Sequence, residues 1–138
     1  MTSSHVETSP GLTPQRLAAA EAAPGFMPID EATTLYEIAE EILAQPDSVG
    51  LGIEIGTYCG KSTVFLGAAA QPLRATIVTV DHHRGSEEHQ PGWEYHDPDL
   101  VDPHTGTLDT SARFRRTMFD ADLEKTVIGV LAPSTVAS

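Results

Sequence analysis

Val49-Gly-Leu-Gly-Ile-Glu54-Ile-Gly56-Thr-Tyr-Cys-Gly60-Lys-Ser-Thr63 is the stretch that decides the fold. Its first seven residues, to Ile55, are too short and too closely bounded by glycine for a helix, and their isoleucines suit a buried parallel strand. Gly56 to Gly60 makes a turn, and Lys61 to Ala70 reads as a helix that Gln71-Pro72 ends. Ala75 to Val80 is β-branched and apolar enough for a second strand, and Asp81 follows it. Strand, helix and strand within about 30 residues make a right-handed βαβ unit, which predicts an α/β domain with a parallel sheet and flanking helices.

The turn carries the chemistry. A parallel strand ending at Glu54-Ile-Gly56, with Gly60 opening a helix, brings backbone amides to a point that an anion or carboxylate can approach closely. Asp81 lies 21 residues beyond Gly60, at the tip of the second strand, where a carboxylate accepts hydrogen bonds from a ribose diol. Together these features point to an adenosine-type cofactor. GTYCGKST is superficially like a phosphate loop, but that motif needs four residues between its first glycine and Gly-Lys-Ser, and Gly56 and Gly60 enclose three. The dinucleotide pattern G-x-G-x-x-G fails as well, because Tyr58 stands where the second glycine would admit a pyrophosphate. A cofactor without phosphates is favoured, and a nucleotide triphosphatase is disfavoured by the spacing.

Outward from this unit, Thr13-Pro14 caps and opens a short Ala-rich helix that Pro24-Gly25 ends. A second helix is expected from Asp30, as its cap, to Ala44, with Leu35, Ile38, Ala39 and Ile42 on its apolar face. Residues 1 to 12 read as a flexible tail and 13 to 138 as one domain. His82 to Gly106 has no apolar periodicity. A helix resumes near Ser111 with Phe114, Met118 and Phe119 on one face and Arg113, Arg115 and Arg116 on another. Thr126 to Leu131 is expected as a third strand, with no periodic segment after it.

Twenty acidic against eight basic side chains give a net charge of −12, which opposes binding to nucleic acid or anionic membranes. No apolar run approaches the roughly 20 residues of a membrane span. The N-terminus lacks the pattern of a signal peptide and the single Cys59 allows no internal disulfide, so the expected location is cytoplasmic.

EIGTYCGKST (54–63) resembles the first motif of class I S-adenosylmethionine-dependent methyltransferases, especially those similar to catechol O-methyltransferase and the sugar O-methyltransferases of antibiotic pathways. Upstream, PGFMPIDEATTLYEIAEEI is similar to the helix that precedes this motif in that subgroup, so the resemblance covers about residues 24 to 130. It implies a Rossmann-like methyltransferase fold and S-adenosyl-L-methionine as cofactor. It also implies roles: Glu54 and Gly56 shape the floor under the methionine moiety, Thr57 and Tyr58 line it, and Ser62 bonds the methionine carboxylate. Gly60 opens the helix, Asp81 holds the ribose hydroxyls and His82 sits beside the adenine. The family completes a seven-stranded sheet, and its fourth strand and acidic run do not follow here. The expectation is an incomplete, N-terminal half of the fold, C-terminally truncated, whose open sheet edge invites homodimerisation.

The expected activity is methyl transfer to a small-molecule acceptor, through oxygen. An alternative is a non-catalytic or inactive cofactor-binding module. A second alternative is a divalent-metal protein built on His82, His83, His89 and His96 among Glu87, Glu88, Glu94 and Asp97, although their spacing matches no standard ligand set. The same loop also suits a lid in which Trp93 and Tyr95 cover an acceptor and a histidine acts as base, or a solvated acidic loop. Plainer roles stand beside these: Glu54 as a satisfied half-buried carboxylate, Gly56 as a turn glycine, Cys59 as packing, and the three arginines as a wet helix face.

Overall fold

The computed structural model describes residues 10–137. Helices α1 (Pro14–Ala22) and α2 (Ile29–Leu43) precede β1 (Leu51–Ile55), α3 (Lys61–Ala70) and β2 (Thr76–Asp81). After a long connection come α4 (Ser111–Asp120), β3 (Val127–Leu131) and the short α5 (Ser134–Ala137). The three strands are parallel in the order β1-β2-β3, with Ile53 beside Val78 and Val78 beside Ile128. Both connections therefore cross over through helices, as parallel pairing requires.

Paired residues of a parallel sheet share a face. Ile77, Thr79 and Val127 lie on the face covered by helices and are buried. Small residues bring the helices close to it: a Cβ on Gly67 would meet Leu123 Cδ1 at 2.8 Å, and one on Gly129 would meet Phe114 Cε1 at 2.9 Å. The core continues outward through α3, where Val64, Phe65, Ala68 and Ala69 pack against Leu12, Ala20, Ala32 and Tyr36. On the opposite face Leu51, Ile53, Ile55 and Ile128 are exposed, Ile53 to 67%. The isoleucines of β1, expected to be buried on both sides, are thus not covered; β1 is an edge strand among the described residues.

Several boundaries differ from the sequence expectation for local reasons. Helix α2 begins at Ile29 after Pro28, with no side-chain cap, and Asp30 lies within its first turn. Its core face is also rotated: Ala32 and Tyr36 are buried with Ala39 and Leu43 against them, whereas Ile38 and Ile42 are exposed. The face that meets the core thus pairs two small alanines with the larger Tyr36 and Leu43, and tertiary packing rather than the isoleucines' apolar area sets it. Phe119 is exposed, leaving Phe114 and Met118 as the buried pair of α4. A short helix, α5, follows β3 where no periodicity announced one.

Gly11 and Leu12, assigned by composition to the tail, are buried; residues 1–9 of that tail lie outside the described residues. Gly11 passes so close to α3 that a Cβ there would sit 1.9 Å from the Ala68 carbonyl oxygen. The buried Arg16 then closes this corner: its guanidinium donates to the carbonyls of Gly11 (2.8 Å), Ala121 (3.0 Å) and Asp122 (3.3 Å). Its five donors let one side chain satisfy carbonyls from two distant parts of the chain.

Candidate functional site

All the predicted site residues gather at the C-terminal ends of β1 and β2, where ligands bind in open α/β sheets. The loop from Gly56 to Gly60 turns between β1 and α3. Gly56 (φ 90°) and Gly60 (φ 89°) both occupy the left-handed region that disfavours a side chain. A Cβ on Gly56 would meet nothing within 4 Å, so that glycine leaves open space above the strand tip. Gly60 faces inward instead, where a Cβ would lie 3.0 Å from Phe114 and 3.1 Å from Met118.

Glu54 sits beneath the loop as a hub for hydroxyls. Its Oε2 accepts from Ser62 at 2.7 Å, and its Oε1 accepts from Thr63 at 2.6 Å and Thr79 at 2.8 Å. Because the Thr79 proton points at Glu54, the 2.6 Å contact between Thr57 and Thr79 is a bond donated by Thr57. Thr63, Thr79 and Thr57 are buried, so this network links β1, β2, the loop and α3. Ser62, expected to meet a cofactor carboxylate, uses its proton on Glu54.

Asp81 braces the same loop from the neighbouring strand. Its Oδ2 accepts from the amides of Thr57 (2.9 Å) and Tyr58 (2.7 Å), and its Oδ1 accepts from that of His83 (2.9 Å). Burial raises the carboxyl pKa, but these three amides and the neighbouring His83 pull it the other way, leaving it below its ordinary value. A carboxylate offers about four lone-pair positions, and three are filled. Room remains for one hydroxyl rather than for both ends of a diol.

His82 is exposed, with its Nδ1 3.9 Å from Asp81 Oδ1 and accepting from the Arg84 amide at 2.9 Å. Its neighbour His83 is buried, pairs with Thr110 Oγ1 through Nδ1 at 2.7 Å and lies against Phe114. Burial lowers the His83 pKa, with nearby Asp81 and Asp109 opposing, and the ring is held below its ordinary value. Sequence reasoning gave His83 only a loop role; its place two residues after the strand tip is the signal that it is rooted in the core.

The long loop folds back over the site. His89 stacks on Tyr58 with ring centres 4.8 Å apart, and Tyr95 meets Phe26 edge-on at 5.0 Å. Burial pushes the Tyr58 hydroxyl up to about 12, with Cys59 and Asp97 adding to the effect. Cys59 is fully buried and its thiol is likewise pushed up to about 12 by burial, against an opposing influence from Arg113. Among the described residues, no three His, Cys, Asp or Glu side chains come together in a way that could hold a metal ion. Arg113 is not simply wet: it donates to the Ala22 carbonyl at 2.7 Å.

Between the α1–α2 connection and the loop lies a cavity of about 140 Å³ lined by Phe26, Met27, Gly56, Tyr58, Lys61 and Ser62. A larger cavity, about 420 Å³, lies among α1, α2 and α3; it shares Met27 and Lys61 with the first, and its lining is chiefly apolar. We place the functional site at the smaller one because the strand tips, the left-handed glycines and the polar network all converge there.

The methyltransferase-domain family model matches residues 53–132, from the middle of β1 to the residue after β3. The chain belongs to the methyltransferase-domain family. The methyltransferase domain is also similar in fold to the crystal structure of cofactor-bound Rv0187 from MTB, with a TM-score of 0.58 and 23% identity. That likeness covers 98% of this chain and 49% of the other, so the chain spans about half the length of the solved structure it matches. Among the described residues of this methyltransferase domain, no helix is long and apolar enough to cross a membrane.

Proposed function

We propose that the chain binds S-adenosyl-L-methionine at the tips of β1 and β2 and serves methyl transfer to an oxygen of a small-molecule acceptor. The observation that carries this reading is the Gly56–Gly60 loop, held open above Glu54 and fixed by Asp81, within a chain of the methyltransferase-domain family. The cofactor supplies an electrophilic methyl group on a sulfonium.

The residues fit such a ligand in parts. A 140 Å³ cavity is smaller than the roughly 300 Å³ that encloses a whole small-molecule ligand, and it suits the amino-acid end. Gly56, Thr57 and Tyr58 form its floor and wall. The nucleoside then extends toward Asp81, which accepts from one ribose hydroxyl, and His82, whose exposed ring flanks the adenine. Thr57 and Tyr58 are held so firmly by Asp81 that the loop is organised before ligand arrives, which lowers the ordering cost of binding. Phe26 and Tyr95 bring the long loop against the same opening. The acceptor's proton is left without a named base: His83 is buried on Thr110, and His89 and His96 are tied to Ser86 and to the His89 carbonyl.

A second reading is a binding module that holds the cofactor without turnover on its own. The uncovered apolar face of β1 and β3, with Ile53 and Ile128 exposed, supports it. Calorimetry with S-adenosylmethionine and S-adenosylhomocysteine, with ATP as control, tests both. Micromolar binding of the two adenosyl ligands but not ATP is expected, and weakening by Asp81→Ala; a folded protein that binds neither overturns the cofactor assignment. Methyl transfer to an acceptor panel then separates enzyme from module.

A further inference from the structure

Among the described residues, Lys61 is the only charged one lining the 140 Å³ cavity, in a chain whose acidic side chains outnumber its basic ones by twenty to eight. It opens α3 directly after Gly60, and its stem packs along Gly25, where an added Cβ would lie 3.6 Å from Lys61 Cε. The ammonium donates to the Ala20 carbonyl at 2.7 Å, which steadies the end of α1. An ammonium has three protons to donate, and this bond uses one. Among the described residues no carboxylate comes within 4.0 Å of it. A half-buried cation with no carboxylate within 4.0 Å, in so acidic a protein, therefore stands in the wall shared by the 140 Å³ and 420 Å³ cavities with two donors uncommitted.

Several other donors at this opening are already engaged. The Thr57 and Tyr58 amides point at Asp81, the Gly60 amide bonds the Thr57 carbonyl at 3.0 Å, and the Ser62 hydroxyl bonds Glu54. Beside the first amides of α3, which have no intrahelical acceptor, an anionic group entering the cavity finds Lys61 as its charged partner.

We infer that Lys61 is the residue that recognises the carboxylate of the cofactor's amino-acid end and makes the site select carboxylate-bearing adenosyl ligands. The inference rests on the cofactor assignment above. It gives Lys61 two tasks, anchoring α1 through Ala20 and neutralising the ligand, so ligand binding and the seating of α1 share one side chain.

The test compares S-adenosylhomocysteine with its decarboxylated analogue, which lacks only the carboxylate, by calorimetry on the full chain. Wild type is expected to prefer the carboxylate ligand by about 10- to 100-fold, the range of a charge-assisted hydrogen bond. Lys61→Gln keeps a donor but loses the charge, and is expected to shrink that preference to about threefold or less by weakening S-adenosylhomocysteine alone. Lys61→Arg, which retains the charge, is expected to preserve most of it and serves if Lys61→Gln does not fold. Equal affinity of wild type for the two ligands overturns the inference while leaving the cofactor assignment standing. So does a Lys61→Gln variant that weakens both ligands in the same proportion, since that is the mark of a purely bracing role. A wild type that binds neither ligand overturns the cofactor assignment and this inference together.

Discussion

The Tyr58 amide donates a 2.7 Å hydrogen bond to Asp81 Oδ2, so the last residue of β2 fixes the loop that follows β1. Tyr58 sits at φ 50°, a conformation that costs a non-glycine residue energy and persists because its neighbours hold it. Asp81→Asn turns part of a three-amide acceptor into a donor facing donors. We expect a loss of about 2–3 kcal/mol in unfolding free energy by urea titration, the scale of a hydrogen bond to a charged group. A loss below about 0.5 kcal/mol would show that the loop keeps its shape without the carboxylate.

Acid sensitivity should begin with His83. Its folded-state pKa lies below the ordinary value near 6.5, so between the two the unfolded chain binds a proton that the folded chain refuses. Stability from this group is therefore full above about pH 6.5 and declines as pH falls through the window below it. Asp81, with its lowered pKa, adds a further decline at lower pH, beginning near the unfolded value of about 3.9. Urea midpoints measured between pH 7.5 and 5 should fall in wild type and flatten in His83→Gln. Equal slopes in the two proteins would remove His83 from the explanation.

Thr79→Val tests the hydroxyl hub at constant shape. The variant deletes the donor to Glu54 and the acceptor of the buried Thr57 hydroxyl together. A cost of about 1–3 kcal/mol follows if Thr57 is left unsatisfied, and Thr57→Val added to it should recover part of that loss. Additive losses in the double variant would mean that the two hydroxyls do not act through each other.

Cys59 should be unreactive in the native state. A fully buried thiol with a pKa near 12 presents almost no thiolate at pH 8. Alkylation by iodoacetamide, followed by mass spectrometry, is expected only in denaturant; prompt labelling of folded protein would contradict both its burial and its ionisation.

The uncovered sheet face should bind apolar dye. Ile53 stands in the middle of β1 with Leu51 and Ile55 on the same side, and Ile128 lies on the same face of β3. Ile53→Glu is expected to lower the fluorescence of an apolar dye while shifting the urea midpoint little, because little packing is lost. An unchanged dye signal would place the binding elsewhere.

Glycine spacing and β-branched runs made the sheet legible in the sequence, because parallel strands and their crossovers are written in local pattern. The eight residues assigned to the site do meet at two strand tips. What the sequence left hidden was the direction of their hydrogen bonds. A carboxylate such as Asp81 or Glu54 looks equally suited to a ligand or to its own neighbours, and which it meets depends on loop geometry set by distant contacts. Lys61 escaped notice for the opposite reason: a lysine after a turn glycine is ordinary until the absence of a nearby acid and the cavity beside it are visible. The rotated face of α2 was hidden the same way, since Ile38 and Ile42 offer more apolar area than Ala32 and Ala39, and which side meets the core is decided by tertiary contacts.

Arg16 joins carbonyls of residues 11, 121 and 122, and so binds the first described helix to the approach to the last strand. Contacts this far apart in the chain demand a large loop closure before they return any energy, and such contacts slow folding. During synthesis the Arg16 guanidinium lacks two of its three carbonyl partners until residue 122 has left the ribosome. A nascent chain can therefore seat α1 on α3 well before this corner forms, and the corner that Arg16 locks is among the last parts of the described fold to close.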